Sequence, residues 1–589
     1  MRTMKSTRTR RAAAIFVSGL VALLVTGCSG SSDQAANTSY QDESSGSGDT
    51  AAATTYPLPP AEETAAADTQ AASAGEALGF PASADADVAM ETEAAAAGVP
   101  EASSRRAEAP APPLSSYPAE PAPDIQSRDA GVNPTESTEF DRFSTFAMDV
   151  DTSSYTLSRA LVQNGNLPSF DTVRTEEFIN YFDQDYRGPK RGDTFAVHVD
   201  GSTAPFLASD QRILRVGVQA ERIDRADRSP ARLTFVIDTS GSMEEDNKLR
   251  LVQDALRKLV DNMRADDQIA IVQFSDDASI VLGPTPADQR RRILDAIEQL
   301  RPTNSTNAEA GLLLGYEVAE RMRAYGSDRR SDRDNPPIDR VILASDGVAN
   351  VGPNGPEAIL SRIRESAERG IDLVTVGVGT SSYNDEMIER LADGGNGFSA
   401  YVDAPFEAER LFRDRLVSTL QTVARDAKIQ VEFNPGEVAS YRLLGYENRG
   451  VVDSDFRDDR VDAGEIGAGH SVTALYEVTL RRGSTDGELA TVRLRWDDVR
   501  RGRVNETSKR VASNELSESL ERADPRLELD LVVAGYAEVL RRGPWSRLTD
   551  LSQLALRAER LGERLGGDVD VREFVDLVRR AADLSSGRL

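Results

Sequence analysis

The chain has 589 residues and a formal net charge of -28, from 69 Lys and Arg against 97 Asp and Glu. That length exceeds one hydrophobic core, and the acidic balance argues against duplex nucleic acid, whose partners carry a basic footprint. A single cysteine excludes an intrachain disulfide, and two histidines leave little for a histidine-rich zinc site, so any metal here would be held by oxygen.

Residues 1–27 read as an export signal. Arg2, Lys5, Arg8, Arg10 and Arg11 make a positive start, and Ala12 to Val25 form an apolar stretch shorter than the ~20 residues that span a bilayer. It ends in Leu24-Val-Thr-Gly-Cys28, which resembles the lipobox of bacterial lipoproteins. That resemblance implies acylation of Cys28, a lipid anchor in a membrane, and a place in the bacterial cell envelope facing the periplasm or the exterior. Residues 28–138 are rich in Ala, Ser, Thr, Glu and Pro, with apolar residues too sparse for a helical or strand period, and predict a disordered tether.

Order is expected from about residue 139, with helices and strands to residue 230. Asp149-Val-Asp151-Thr-Ser153 has the look of a phosphatase nucleophile loop, but no doubly wound sheet follows it at once. Carboxylates and hydroxyls capping a turn and the next helix are the favoured reading. Helical spacing follows in Leu157–Val162 and Val173–Phe182, and the alternation of Phe195–Val199 and Ile213–Val218 predicts two half-buried strands.

Residues 231–425 carry the most information. Arg232-Leu-Thr-Phe-Val-Ile-Asp238 is almost wholly apolar, as in a strand buried on both faces of a parallel sheet. Apolar strands then alternate with amphipathic helices, closing with a helix expected over 406–424. The pattern predicts an α/β doubly wound domain, whose ligands bind at the carboxyl ends of the strands. There stands Asp238-Thr-Ser240-Gly-Ser242, one carboxylate and two hydroxyls on a tight glycine turn, suited to a hard divalent ion that takes six oxygens.

Motif and pattern together resemble the metal-ion-dependent adhesion site of von Willebrand factor type A domains, a Rossmann-like fold. The resemblance implies Mg²⁺ (or Mn²⁺ or Ca²⁺) held by Asp238, Ser240 and Ser242, with Thr306 and Asp346 from two further loops. The family usually has a glycine pair where this chain has Thr303-Asn304, and Thr306-x-x-Glu309 also reads as a capping box. Implied too is a protein partner that supplies an acidic residue to the metal, so the domain recognises and does not catalyse. An envelope scaffold with a structural metal is the alternative, ahead of a metal-dependent hydrolase.

Beyond the domain, 426–512 alternate as strands, with a Gly-rich loop at Asp462-Ala-Gly-Glu-Ile-Gly-Ala-Gly-His470 that lacks the Gly-Lys-Ser/Thr ending of a phosphate loop. Residues 513–589 read as helices. Strands before and after the α/β block are each too few for a stable sandwich, so the block is expected to be inserted between strands of one β-sandwich. From about 140 onward the chain resembles the bacterial von Willebrand A lipoproteins of the YfbK type.

Overall fold

The computed structural model describes residues 131–303, 305–326, 336–347, 356–379, 384–483 and 487–587. The expected export signal, Cys28 and the expected tether up to residue 130 lie outside them. Residues 131–138, expected to be disordered, are instead anchored: the Asn133 side-chain amide donates to the Leu443 and Gly445 carbonyls, and Glu136 and Ser137 pair as a strand.

In chain order the first elements are strands β1 (Glu136–Ser137) and β2 (Phe143–Ala147), helices α1 (Ser153–Gln163) and α2 (Thr175–Asn180), and strands β3 (Phe195–Ser202) and β4 (Gln211–Ala220). The α/β block runs β5 (Ala231–Asp238), α3 (Lys248–Asn262), β6 (Gln268–Phe274), β7 (Ala278–Pro286), α4 (Arg290–Gln299) and α5 (Ala308–Gly326). It continues with β8 (Ile338–Ser345), α6 (Pro356–Glu368), β9 (Ile371–Val378), α7 (Asp385–Gly394), β10 (Ser399–Val402), α8 (Pro405–Glu409) and α9 (Leu416–Leu420). Then come β11 (Thr422–Phe433), β12 (Val438–Leu444), β13 (Gly464–Gly467), β14 (Ser471–Leu480), β15 (Glu488–Asp498), β16 (Arg503–Ala512) and β17 (Leu516–Ser517). Helices α10 (Pro525–Leu540), α11 (Leu551–Arg564) and α12 (Val569–Ser585) end the described chain.

The block folds into one sheet of order β10-β9-β8-β5-β6-β7, parallel except for β7. β5 is wholly buried because helices cover both faces: Phe235 and Ile237 face α3, while Val236 faces α5. From β5 the chain first adds β6 and β7 on one side, then returns to add β8, β9 and β10 on the other. The crevice at the carboxyl ends of β5 and β8 is therefore the switch point where such sheets take ligands.

The flanking strands make two more sheets. One has the order β1-β12-β14-β4-β3-β17; the other is β13-β11-β15-β16 with β2 also on β11. β4, which precedes the block, is hydrogen-bonded to β14, which follows it, and the two sheets share one core. β4 is buried almost end to end, not half-buried as its alternation suggested. Its other face is covered by a helical layer, to which Ile213 belongs while Leu214, Val216 and Val218 face the sheets.

That helical layer joins chain segments far apart in sequence. α10 is buried nearly all round, started by Asp524 capping and Pro525 at the first position, and α1, α2, α11 and α12 pack about it. The helix expected over 406–424 is broken: a π-turn at Arg410–Asp414 interrupts it, α9 ends at Leu420, and β11 begins at Thr422. Pairing of Ala424 with Asp498 on β15 wins over helix propensity, so the α/β unit ends a few residues before 425.

Candidate functional site

Asp238 closes β5, and its fully buried carboxylate accepts two hydrogen bonds. The Ser240 amide donates to Oδ1 at 2.8 Å and the Ser345 hydroxyl to Oδ2 at 2.7 Å. The turn after it brings the Ser240 and Ser242 hydroxyls within 3.0 Å of each other. Asp346 follows β8, next to β5 in the sheet, so both acidic residues reach one crevice from adjacent strands. Burial first, then Asp346 nearby, raises the Asp238 carboxyl above the usual range against the bonds from Ser345 and Ser240. A carboxylate in that position gains from a cation at its remaining lone pairs.

The third loop approaches by its backbone. Thr303 donates to the Thr239 carbonyl from its amide at 2.6 Å and its hydroxyl at 3.0 Å, fastening the 300–307 loop to the Asp238 turn. Thr303 is thereby committed. Thr306, the residue singled out from the sequence, makes no hydrogen bond to Asp238, Ser240, Ser242 or Asp346 among the described residues. Its capping role is corrected, because α5 is capped by Asn307, whose side chain accepts from the Ala310 amide at 3.2 Å. The hydroxyl of Thr306 is thus not spent on the helix.

Two residues the sequence reading missed complete the site. Ser345 orients Asp238 as described, and it also accepts from the Gly347 amide at 3.2 Å. Lys248, the first residue of α3, is buried and places Nζ 2.9 Å from Asp346 Oδ2. Its stem lies against Gly379 (φ +79°), where a Cβ would fall 2.3 Å from Lys248 Cε, so glycine there makes room for the lysine. The only signal in the sequence was position: a lysine opening the helix that follows the Asp-x-Ser-x-Ser turn.

With Lys248 offsetting Asp346, Asp238 is left with hydroxyl and amide partners among the described residues. Oxygen donors, shallow negative charge and clustered hydroxyls fit a hard divalent ion. Among the described residues no group of three or more His, Cys, Asp and Glu could hold a metal, so a site here depends on the hydroxyls. The Asp149–Ser153 segment has a different role from the one favoured. Asp149 Oδ1 does accept from the Asp151 amide in a turn, but Asp151 receives the amide and hydroxyl of Ser399 at the start of β10. Neither caps α1.

Family comparisons agree with this architecture. Residues 125–215 match the model described as von Willebrand factor, 233–414 the von Willebrand factor type A domain, and 418–584 the C-terminal region of uncharacterized protein YfbK. The chain is 34% identical over 443 residues to uncharacterized protein YfbK of Escherichia coli (strain K12), covering 72% of this chain and 75% of that protein. It is 29% identical over 223 residues to the human inter-alpha-trypsin inhibitor heavy chain H3, which is 37% of this chain and 22% of that one. A von Willebrand factor type A structure from Catenulispora acidiphila aligns with a TM-score of 0.39 and 16% identity, over 68% of this chain and 91% of its own.

Proposed function

This chain belongs to the YfbK family of von Willebrand factor type A proteins, and on that premise we propose that it binds a partner protein through one divalent metal ion. Asp238, Ser240 and Ser242 would hold the ion, with Thr306 and Asp346 completing the shell, and Mg²⁺, Mn²⁺ and Ca²⁺ are the candidate ions. The bound metal would act as an electrophile for a carboxylate of the partner.

The observation that carries this reading is the charge balance at the crevice. Lys248 and Asp346 offset each other at 2.9 Å, which leaves Asp238 as the carboxylate with no cationic partner among the described residues. A divalent ion on that set leaves a net positive centre in a buried crevice, and an acidic side chain from outside offsets it. Among the described residues no histidine stands beside these hydroxyls: His198 and His470 belong to the flanking sheets and their loop. Recognition is therefore favoured over catalysis.

The export signal and the lipobox-like Cys28 support the further proposal that the protein is lipid-anchored in the cell envelope, with the domain held away from the membrane. No helix among the described residues is long and apolar enough to cross a membrane.

Thermal melting with and without Mg²⁺ or Mn²⁺, beside Asp238→Ala, tests the metal. Metal at 100 times its Kd stabilises the native state by ~2.7 kcal/mol. Metal is expected to raise the midpoint of the wild type and not of the variant. The absence of any rise at millimolar metal would sink the reading. Partner capture from envelope extract with and without EDTA then tests the recognition.

A further inference from the structure

Among the described residues, buried arginines are paired with carboxylates. Arg159 meets Asp403 and Glu407, Arg215 meets Asp200 and Asp530, Arg228 meets Asp267, and Arg340 meets Asp372. Arg415, which is half-buried, has no such partner. It stands directly after the π-turn Arg410–Asp414 and opens α9, and π-turns are rare and recur at functional sites. Its Nη2 donates to the Tyr181 carbonyl at 3.1 Å, and no carboxylate lies within ion-pair distance among the described residues. Arg410 donates to the same carbonyl but pairs with Asp570 at 2.7 Å. Burial, then Arg410, pushes the Arg415 guanidinium down to about 10.

Arg415 lines a cavity of about 420 Å³ between α9, the Gly-rich loop and the segment after β4. His470 lines it too. Its Nδ1 accepts from the Gly467 amide at 3.3 Å, and burial, with Arg415 next, pushes its pKa down to about 3. The ring is neutral at ordinary pH, and that bond assigns its proton to Nε2. The Nε2–H finds no acceptor among the described residues. Arg222, which is exposed, runs its stem past Gly469 (φ +83°) and has no ion pair among the described residues. The amides of the Gly-rich loop are already spent: Ala468 donates to Gln421, Gly469 to Glu221 and His470 to Gly467. A ligand would meet side chains, not a backbone cradle.

Acidic residues also line the cavity, but Asp183, Asp224 and Asp414 are exposed, and Asp414 is bound to Arg413 at 2.9 Å. The less exposed part presents the Arg415 guanidinium, which meets the Tyr181 carbonyl but no carboxylate, and the His470 Nε2–H, which has no acceptor among the described residues. We propose that this cavity binds a small oxyanion, phosphate or carboxylate, with its oxygens on the Arg415 guanidinium and the His470 Nε2–H. Charge-assisted hydrogen bonds from a planar guanidinium suit such a group. The site is independent of the metal-binding proposal.

The test uses the whole protein in EDTA, titrated with inorganic phosphate and with acetate against sodium chloride at matched ionic strength. Histidine NMR reads the site directly, because the chain has only His198 and His470. Saturable shifts of the His470 resonances with an unmoved His198, and at least tenfold weaker binding in Arg415→Gln, are the expected result. A response to phosphate alone or to acetate alone says which oxyanion fits. No shift with either anion, or equal binding in Arg415→Gln, overturns the proposal. If that variant does not fold, Arg415→Lys and His470→Phe carry the test. The histidine substitution is read by calorimetry, and unchanged affinity in both is again fatal.

Discussion

At the scale of single residues, the crevice is set by which charges have partners. Lys248 and Asp346 are both buried, so each would pay for desolvation alone if the other were removed. Lys248→Met is expected to lower metal-free stability by about 3 kcal/mol, the usual cost of stranding one member of a buried pair. The same variant should gain more from Mg²⁺ than the wild type does, because the ion then faces two uncompensated carboxylates. Melting in EDTA and in Mg²⁺ separates the two effects, and an equal metal increment in both proteins would reject the charge argument. Asp238, Ser240, Ser242 and Asp346 were legible from the sequence because a motif and a strand end fix them locally. Lys248 and Ser345 were not, since their importance rests on what lies across the sheet.

At the scale of elements, the link between the α/β unit and the rest runs through charged side chains. Arg449, in the loop after β12, reaches Asp149 at 3.1 Å, Glu389 on α7 at 3.0 Å and Asp393 at 2.9 Å. Burial, as the largest cause, raises Glu389 to about 7 and holds Asp151 and Asp393 above the carboxylate range, while Arg449 lowers all three. A carboxyl raised above its unfolded value of ~4 contributes stability that is full below that value and lost as pH climbs through the folded pKa. For Glu389 the loss falls between ~4 and about 7. Arg449→Met removes the countering charge, so its melting deficit should be large at pH 8 and small at pH 5. A deficit independent of pH would mean that Arg449 acts through packing alone. Reading Asp149 and Asp151 as caps of a turn and the next helix found the Asp149 turn but missed this, because their other partners lie some 250 to 300 residues away.

At the scale of the molecule, α1 ties the α/β unit to the helical layer. Its residues Leu157, Ala160 and Leu161 pack with the α/β unit, whereas Tyr155 and Val162 belong to the helical layer. Arg159 on the same helix is buried against Asp403 and Glu407 of the α/β unit and bonds the Tyr181 hydroxyl at 2.6 Å. Residues 231–421 expressed alone would expose that apolar patch and strand those carboxylates, together with Asp385, which Arg174 holds at 2.5 Å. The excised unit is expected to melt well below the whole protein or to express insolubly. Equal midpoints would show that the unit is energetically independent of its neighbours.

Much of this architecture follows from local pattern. An eight-residue apolar strand ending in Asp-x-Ser-x-Ser, and apolar strands alternating with amphipathic helices, determine an α/β sheet and the end at which polar groups gather, because strand burial and helix periodicity are short-range signals. The tertiary structure decided what those signals do not encode. Strand β11 captured residues expected in a helix, α1 and α2 joined a core built mainly by α10, α11 and α12, and Arg415 was left without a carboxylate. Ladder pairing, shared cores and charge compensation join residues hundreds of positions apart, and a single chain's periodicity carries no record of which distant partner each side chain will meet.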